Sequence, residues 1–275
     1  MKVIQGLELC QICTRAVMFT GVLAAGVFLP IGDRGNATAS PPAIEPKALS
    51  ALKGMGGFLR SMNAFDVSAA SSTDQQIDNG QIVQFSHRSD LLVKRPDKLR
   101  LEITDGLSSR SVIYNGKAFT LYDGRTNYYA TQSAAPTIDQ LVIQLEETYG
   151  TQLPLADLFK WRGTPDQLGA LQSGIYIGSE SVAGEICEHY AFRQADIDWQ
   201  LWLRAGTEPY PCQTVIIRRD DAERPRHTIN YVWQKLPTVD SSRFEFAIPP
   251  GAHPVPIRDM KDAHSKALKG LRNEQ

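Results

Sequence analysis

From Gln81 to Thr131 apolar and polar residues alternate with period two, broken only by short turn words, and this pattern predicts a run of antiparallel strands. Lys98 to Thr104 is the cleanest stretch. Leu99, Leu101 and Ile103 point one way there, while Lys98, Arg100, Glu102 and Thr104 point the other. Ahead of it, Phe65 to Ser71 reads as a first strand, and Asp78-Asn79-Gly80 turns the chain into a second over Ile82 to Lys94. Pro96 has no N–H to give a ladder, so Arg95 to Asp97 must be a turn. Ser111 to Tyr114, Ala118 to Tyr122 and Asn127 to Thr131 follow, separated by Asn115-Gly116 and Asp123-Gly124, dipeptides that supply the positive φ of twisted hairpin turns. No helical pattern interrupts them, so they form a meander.

A three- and four-residue period precedes the strands. Ala48, Ala51, Leu52, Met55, Leu59 and Met62 predict an amphipathic helix, with Gly54, Gly56 and Gly57 inside it. Each glycine costs about 1 kcal/mol against alanine, so this helix either depends on docking its apolar face or breaks into two short ones; as a functional element it would be a mobile cover. After Ala135-Pro136, Thr137 and Gln140 form a capping box for a helix with Ile138, Leu141, Val142, Leu145 and Tyr149 on one face, ended by Gly150. Thr164, Pro165 and Gln167 start a second short helix beyond an apolar patch of Leu155, Leu158, Phe159 and Trp161. Strands resume over Gly174 to Gly178, Glu185 to Arg193, Asp198 to Arg204, Cys212 to Arg219, His227 to Gln234 and Phe244 to Ala247. The order of helix, strands, helices, strands predicts one α+β domain over residues 40–257, with helices covering one face of a large curved antiparallel sheet. The tail, residues 258–275, is polar and predicts disorder or a loose helix.

The first 39 residues have a different character. Lys2 and Arg15 precede an apolar run from Ala16 to Leu29, and Ala37-Thr38-Ala39 stands before Ser40. This is the pattern of a cleaved signal peptide, 1–39, and the run is shorter than the ~20 residues of a membrane span; a retained anchor is the competing reading. No cysteine follows the run to be lipidated, and no stable membrane span is expected after cleavage. With 29 basic and 30 acidic residues the net charge is −1, which gives no electrostatic reason to expect nucleic acid as a partner.

Cys10 and Cys13 fall in the leader, leaving Cys187 and Cys212 for an oxidising compartment, where an even pair suggests a disulfide. A simple register places them on strands flanking a third, ~9.5 Å apart. A bridge needs Cα atoms under about 7 Å, so the pair is either joined through a bulge or a curling strand end, or left as two buried thiols.

Catalytic patterns are weak throughout. Cys187 and His189 share a strand face but have no second ligand pair at zinc spacing, so no metal is expected. Asp196 and Asp198 flank a hairpin turn, and Arg218, Arg219, Arg224 and Arg226 sit among Asp220, Asp221 and Glu223 as a solvated hairpin end. Gly54-Met55-Gly56-Gly57 lacks the lysine of a phosphate loop. No catalytic residue, no cofactor and no enzyme activity are expected.

Four phrases, in order, carry a resemblance. They are the N-terminal helix running into Phe65; Leu92-Val93-Lys94-Arg95-Pro96 with Leu99-Arg100-Leu101; Tyr114-Asn115-Gly116-Lys117 with Leu121-Tyr122; and Phe244-Glu245-Phe246-Ala247-Ile248-Pro249-Pro250-Gly251. Together they resemble the bacterial outer-membrane lipoprotein carrier (LolA-like) superfamily, and within it a group of predicted periplasmic proteins. The resemblance implies a periplasmic monomer, an unclosed β-barrel whose concave apolar face is lidded by helices and holds acyl chains of lipids or lipoproteins as a carrier or chaperone. It also implies that Arg95 is a gate, tying the lid helices shut by hydrogen bonds until cargo displaces them; the plain alternative is an arginine solvating a strand end before Pro96. Alternation offers Leu99, Leu101, Ile103, Phe119, Leu121, Trp199, Leu201 and Leu203, with Tyr190, Phe192, Tyr231 and Trp233, as cavity lining or ordinary core. An alternative function in the same superfamily is an envelope regulatory or sensor module that recognises lipidated proteins and acts through a protein partner.

Overall fold

Asparagine, aspartate and glycine fix where strands begin and end in this chain. The computed structural model describes residues 44–106, 108–161, 164–236 and 238–257; the expected leader and polar tail lie outside the described residues. Helix α1 (Pro46–Ser61) is followed by β1 (Ala64–Gln76), β2 (Ile82–Lys94), β3 (Lys98–Asp105), β4 (Ser108–Tyr114), β5 (Ala118–Asp123) and β6 (Tyr128–Ser133). Helices α2 (Ile138–Tyr149), α3 (Asp157–Lys160) and α4 (Pro165–Gly169) come next. Then follow β7 (Ser173–Val182), β8 (Glu185–Arg193), β9 (Ile197–Arg204), β10 (Pro211–Arg218), β11 (Arg226–Lys235), a 3-10 turn (Ser241–Phe244) and β12 (His253–Pro254).

All twelve strands form one sheet in the order β12-β6-β5-β4-β3-β2-β1-β11-β10-β9-β8-β7. Two meanders, β1 to β6 and β7 to β11, are stitched together where β1 pairs antiparallel with β11, from Phe65 opposite Lys235 to Thr73 opposite His227. Among the described strands β12 alone runs parallel to its neighbour, and Ile44 makes an isolated parallel bridge to Gly174 of β7. With β7 and β12 at its two ends the sheet is an unclosed barrel, the α+β architecture expected from the order of elements.

The turns work by two means. Gly80 and Gly116 take φ of +81° and +92°, as their hairpins require. Gly124 does not; a Cβ there would stand 2.6 Å from Ser109 Oγ, so this glycine serves a close approach, and the positive φ of that turn falls on Asn127. Thr137 accepts a hydrogen bond from Gln140 N and Gly150 ends α2 in the left-handed region. The Thr137 hydroxyl donates to Gln140 Oε1, so this is a one-sided cap, whereas Thr164 and Gln167 complete a full capping box.

Helix α1 is a single helix. Ala48, Leu52, Met55, Gly56 and Leu59 are its buried face. Of its three glycines only Gly56 is confined, since a Cβ there would lie 3.1 Å from Trp161 Cδ1 and 3.3 Å from the Trp161 carbonyl oxygen.

One expected strand is absent. Phe244 to Ala247 alternates like a strand, but the chain there makes a 3-10 turn capped by Asp240, whose side chain accepts from Ser242 N, and then crosses the sheet face away from the helices. Phe244 is buried with Leu92 and Val239, and Phe246 packs its ring on Tyr122 and Tyr129. Its alternation therefore serves side-chain docking and not a ladder. The backbone joins the sheet only at β12, where His253 N donates to the Asn127 carbonyl.

Candidate functional site

The turn between β2 and β3 is the junction of the helical layer. Arg95 N donates to the Asn63 carbonyl just past α1, and Ile138 N, the first residue of α2, donates to the Pro96 carbonyl, at 2.8 and 2.9 Å. Above this backbone frame the Arg95 side chain, only 18% exposed, reaches three helices. Its Nη2 lies 3.5 Å from the Leu59 carbonyl of α1, its Nη1 3.9 Å from Asp139 Oδ1 in the first turn of α2, and its guanidinium carbon 5.5 Å from the Phe159 ring centre of α3. Both polar distances are at the long end of their kinds, so each contact is individually weak.

Registers place the twelve predicted lining residues on the helix-covered face. Leu99, Leu101, Ile103, Phe119, Leu121, Tyr190, Phe192, Leu201 and Leu203 are buried in one apolar cluster with Leu52 and Leu59 of α1, Leu141 and Leu145 of α2, and Leu158 and Phe159 of α3. Trp199, Tyr231 and Trp233 are partly buried against it. The helices thus sit in the trough of the sheet and fill it with their own side chains. Aromatic rings link the layers: Phe159 on Phe65, Trp161 on Trp199, and Phe58 of α1 on Tyr210, which stacks in turn on Trp233.

The trough has a gradient along its length. The middle of its row at the Arg95 end, Phe65, Val93, Leu99, Tyr114 and Phe119, is apolar apart from the Tyr114 hydroxyl, which donates to the Ala135 carbonyl and whose pKa desolvation pushes up to about 12; the row ends in Lys235 on β11 and Gln132 on β6. The next row, Trp233, Val67, Leu91, Leu101, Val112 and Leu121, is also apolar. Further along, the inward positions of β1 become Ala69, Ser71 and Thr73, and those of β2 become Ser89 and His87. Thr73 Oγ1 lies 2.7 Å from His227 Nδ1, and the His87 and His227 rings stack with centres 6.5 Å apart. Burial pushes both imidazoles below their ordinary pKa. No motif pointed to this polar end; its signal in the sequence was the hydroxyl at every second residue late in β1.

Other predicted features lie on the opposite face or at hairpin ends. Cys187 and Cys212 are joined by a disulfide, with Cα atoms 6.7 Å apart, and pack with Trp202 and Val215. His189 stacks on Trp202, with Glu180 Oε1 2.6 Å from its Nδ1. Among the described residues no group of three His, Cys, Asp or Glu side chains is placed to hold a metal ion. At the β8–β9 and β10–β11 hairpin ends Asp198 gathers Arg193, Arg219 and Arg224, and the Arg193 hydrogen bond leads the causes that hold its carboxyl below the usual range. A cleft of about 230 Å³ opens between the crossing segment at Phe244 to Ile248 and the outer side of β4 to β6.

A family model described as "Predicted periplasmic protein (DUF2092)" matches residues 48–258. No curated protein matches the chain. Among solved structures, the crystal structure of MucB is similar at 15% identity over 74% of this chain and 64% of that one, TM-score 0.43, so the chain spans less than two thirds of the MucB it matches. LprF from Mycobacterium bovis is similar at 13% identity over 77% of this chain and 100% of that one, TM-score 0.43. The LolA superfamily protein NE2245 from Nitrosomonas europaea is similar at 13% identity over 72% and 97%, TM-score 0.34. No helix among the described residues is long and apolar enough to cross a membrane.

Proposed function

Because the chain belongs to the family of predicted periplasmic proteins (DUF2092), we propose that it is a periplasmic binding protein for acyl chains of lipids or lipoproteins, a carrier or chaperone between membranes. One observation carries the reading: a single side chain, Arg95, touches α1, α2 and α3, the elements that fill the trough. Helices held by core packing alone would need no such hub. In this reading Arg95 is the latch, and its long contacts to Leu59 and Asp139 are the ones cargo displaces first.

Magnitudes allow the exchange. Undocking Leu52, Met55 and Leu59 of α1 exposes three large apolar side chains, on the order of 2 kcal/mol each. An acyl chain of about sixteen carbons returns about 0.8 kcal/mol per methylene buried, roughly 12 kcal/mol in all, so it can replace the helix face in the trough. The test is binding of a fluorescent fatty acid, with native mass spectrometry of protein taken from the periplasm. Co-purifying lipid is the expected result. A protein that carries no lipid and fails to bind the fatty acid ends the carrier reading.

A second reading, a sensor module acting through a protein partner, is favoured by one feature. Strand β7 is an end strand of the sheet; Ile44 and Glu45 hold its backbone at Gly174 and Tyr176, and beyond them Ile177 is exposed, a geometry to which an extended peptide can add. Crosslinking in cells that recovers no partner would count against it.

A further inference from the structure

The polar end of the trough is built for something the apolar end is not. Along β1 the inward side chains run Phe65, Val67, Ala69, Ser71, Thr73, all of them buried, from aromatic to hydroxyl over five positions. Neighbouring strands repeat the change: Val93 and Leu91 give way to Ser89 and His87 on β2, and Trp233 and Tyr231 to Ile229 and His227 on β11. Core strands have no packing reason to become polar while still buried, since each buried hydroxyl loses its water. Some of these groups have partners, Thr73 with His227 and Tyr231 with Thr214. Ser89 does not. It is 0% exposed, directly across from Ala69 and Ile103, and among the described residues its Oγ has no hydrogen-bond partner.

The charge pattern narrows what could satisfy it. Arg110, the cation beside His87, is held by Asp105 at 2.9 Å, and Lys160, the cation beside Asp157 next to Tyr231, is held by Glu146. An anionic phosphate would find no uncommitted positive partner in that set, whereas ester or amide carbonyls and hydroxyls match Ser, Thr and neutral imidazole.

We propose that Ser71, Thr73, His87, Ser89 and His227 form a head-group subsite, taking the uncharged ester or amide carbonyl and hydroxyl groups of an acylated ligand whose chain lies along the apolar rows. The proposal rests on the acyl-chain reading above. It adds a direction, with the chain toward Arg95 and the head toward His227, and a class, acyl esters or amides in preference to free acids or phosphates.

The test displaces a fluorescent fatty acid from the whole periplasmic protein with a monoacylglycerol, the free fatty acid of equal chain length, and the corresponding glycerol phosphomonoester. The monoacylglycerol should compete about three- to tenfold better than the other two, the span of one or two hydrogen bonds. Ser89→Ala and Thr73→Val should each reduce that preference. Ser89→Ala removes a hydroxyl that has no partner, so its Tm should hold or rise, which separates loss of preference from loss of fold. Equal competition by all three, a preference that survives both substitutions, or tighter binding of the phosphomonoester overturns the subsite and leaves the acyl-chain reading standing. Failure of the fluorescent probe to bind at all overturns both.

Discussion

Cys187 on β8 and Cys212 on β10 are bonded to each other across the width of β9, a strand that lies between them in the sheet. Flat strands would hold them about two spacings apart, ~9.5 Å. The register of β10 against β9 shifts between Pro211 and Gln213, which makes Cys212 the extra residue of a bulge and brings the Cα atoms to 6.7 Å. The bond closes a loop with a sequence separation of 25, for which the chain-entropy model gives about 3.5 kcal/mol. The double substitution Cys187→Ala, Cys212→Ala should lower unfolding stability by about 2–4 kcal/mol in urea melts while leaving the far-ultraviolet spectrum unchanged.

Arg95→Leu separates a latch from a structural arginine. Its long-distance contacts should contribute no more than about 1 kcal/mol to folding, so urea midpoints should change little while release of a bound fluorescent fatty acid, followed by stopped flow, becomes slower, because the closed helices that compete with cargo lose their tie. A loss of several kcal/mol, on the order of a core cavity, would make Arg95 structural.

The glycines of α1 should separate by environment. A Cβ at Gly54 or Gly57 meets open space, so alanine at either should raise stability by about 0.5–1 kcal/mol. At Gly56 it meets Trp161, which is pinned by its Nε1–H to the Leu52 carbonyl at 3.0 Å, so Gly56→Ala should gain less than either or lose. Thermal melts of the three variants give the order directly.

His87 and His227 predict a pH slope. Burial places their folded pKa values below the ordinary 6.5, so between those values the unfolded chain binds more protons than the folded one. Their contribution is complete above pH 6.5 and is lost as pH falls through the lowered values. Asp198, whose carboxyl is depressed below 3.8, withdraws its own contribution only in stronger acid. Urea midpoints from about pH 8 to pH 5 should therefore fall, and the double variant His87→Gln, His227→Gln should flatten that part of the curve.

The crossing segment should be anchored by one ring. Phe244 is fully buried against Leu92 and Val239, and Phe244→Ala should cost about 3–5 kcal/mol, measured by urea unfolding.

Much of the fold was legible because turn chemistry is local. Asp78-Asn79-Gly80 and Asn115-Gly116 turn the chain where the structure turns it, although β1 runs on to Gln76, five residues past the expected end at Ser71, and Thr164-Pro165 starts α4 where its capping box predicts. What was not legible depends on distant partners. Phe244 and Phe246 alternate like strand residues because they dock on Leu92 and Tyr122, contacts that no local window contains. Helix α3 is one turn long, and β12 is two residues held by Asn127 and Tyr129, too short for any periodicity. The candidate site divides the same way. Arg95 stood out through the family resemblance carried by Lys94-Arg95-Pro96, whereas Ser89 and Thr73 became visible only when registers put them beside His87 and His227.

The seam between β1 and β11 also sets an order of events in time. Phe65 finds Lys235, and Thr73 finds His227, only after nearly the whole sheet-forming chain has emerged. Contacts so distant in sequence are slow to form, and until they do β1 presents an unpaired edge rich in backbone donors and acceptors. A polypeptide delivered amino-terminus first would pass through that half-built stage on every synthesis, exposed to self-association and in need of a holding factor until its last long strand arrives.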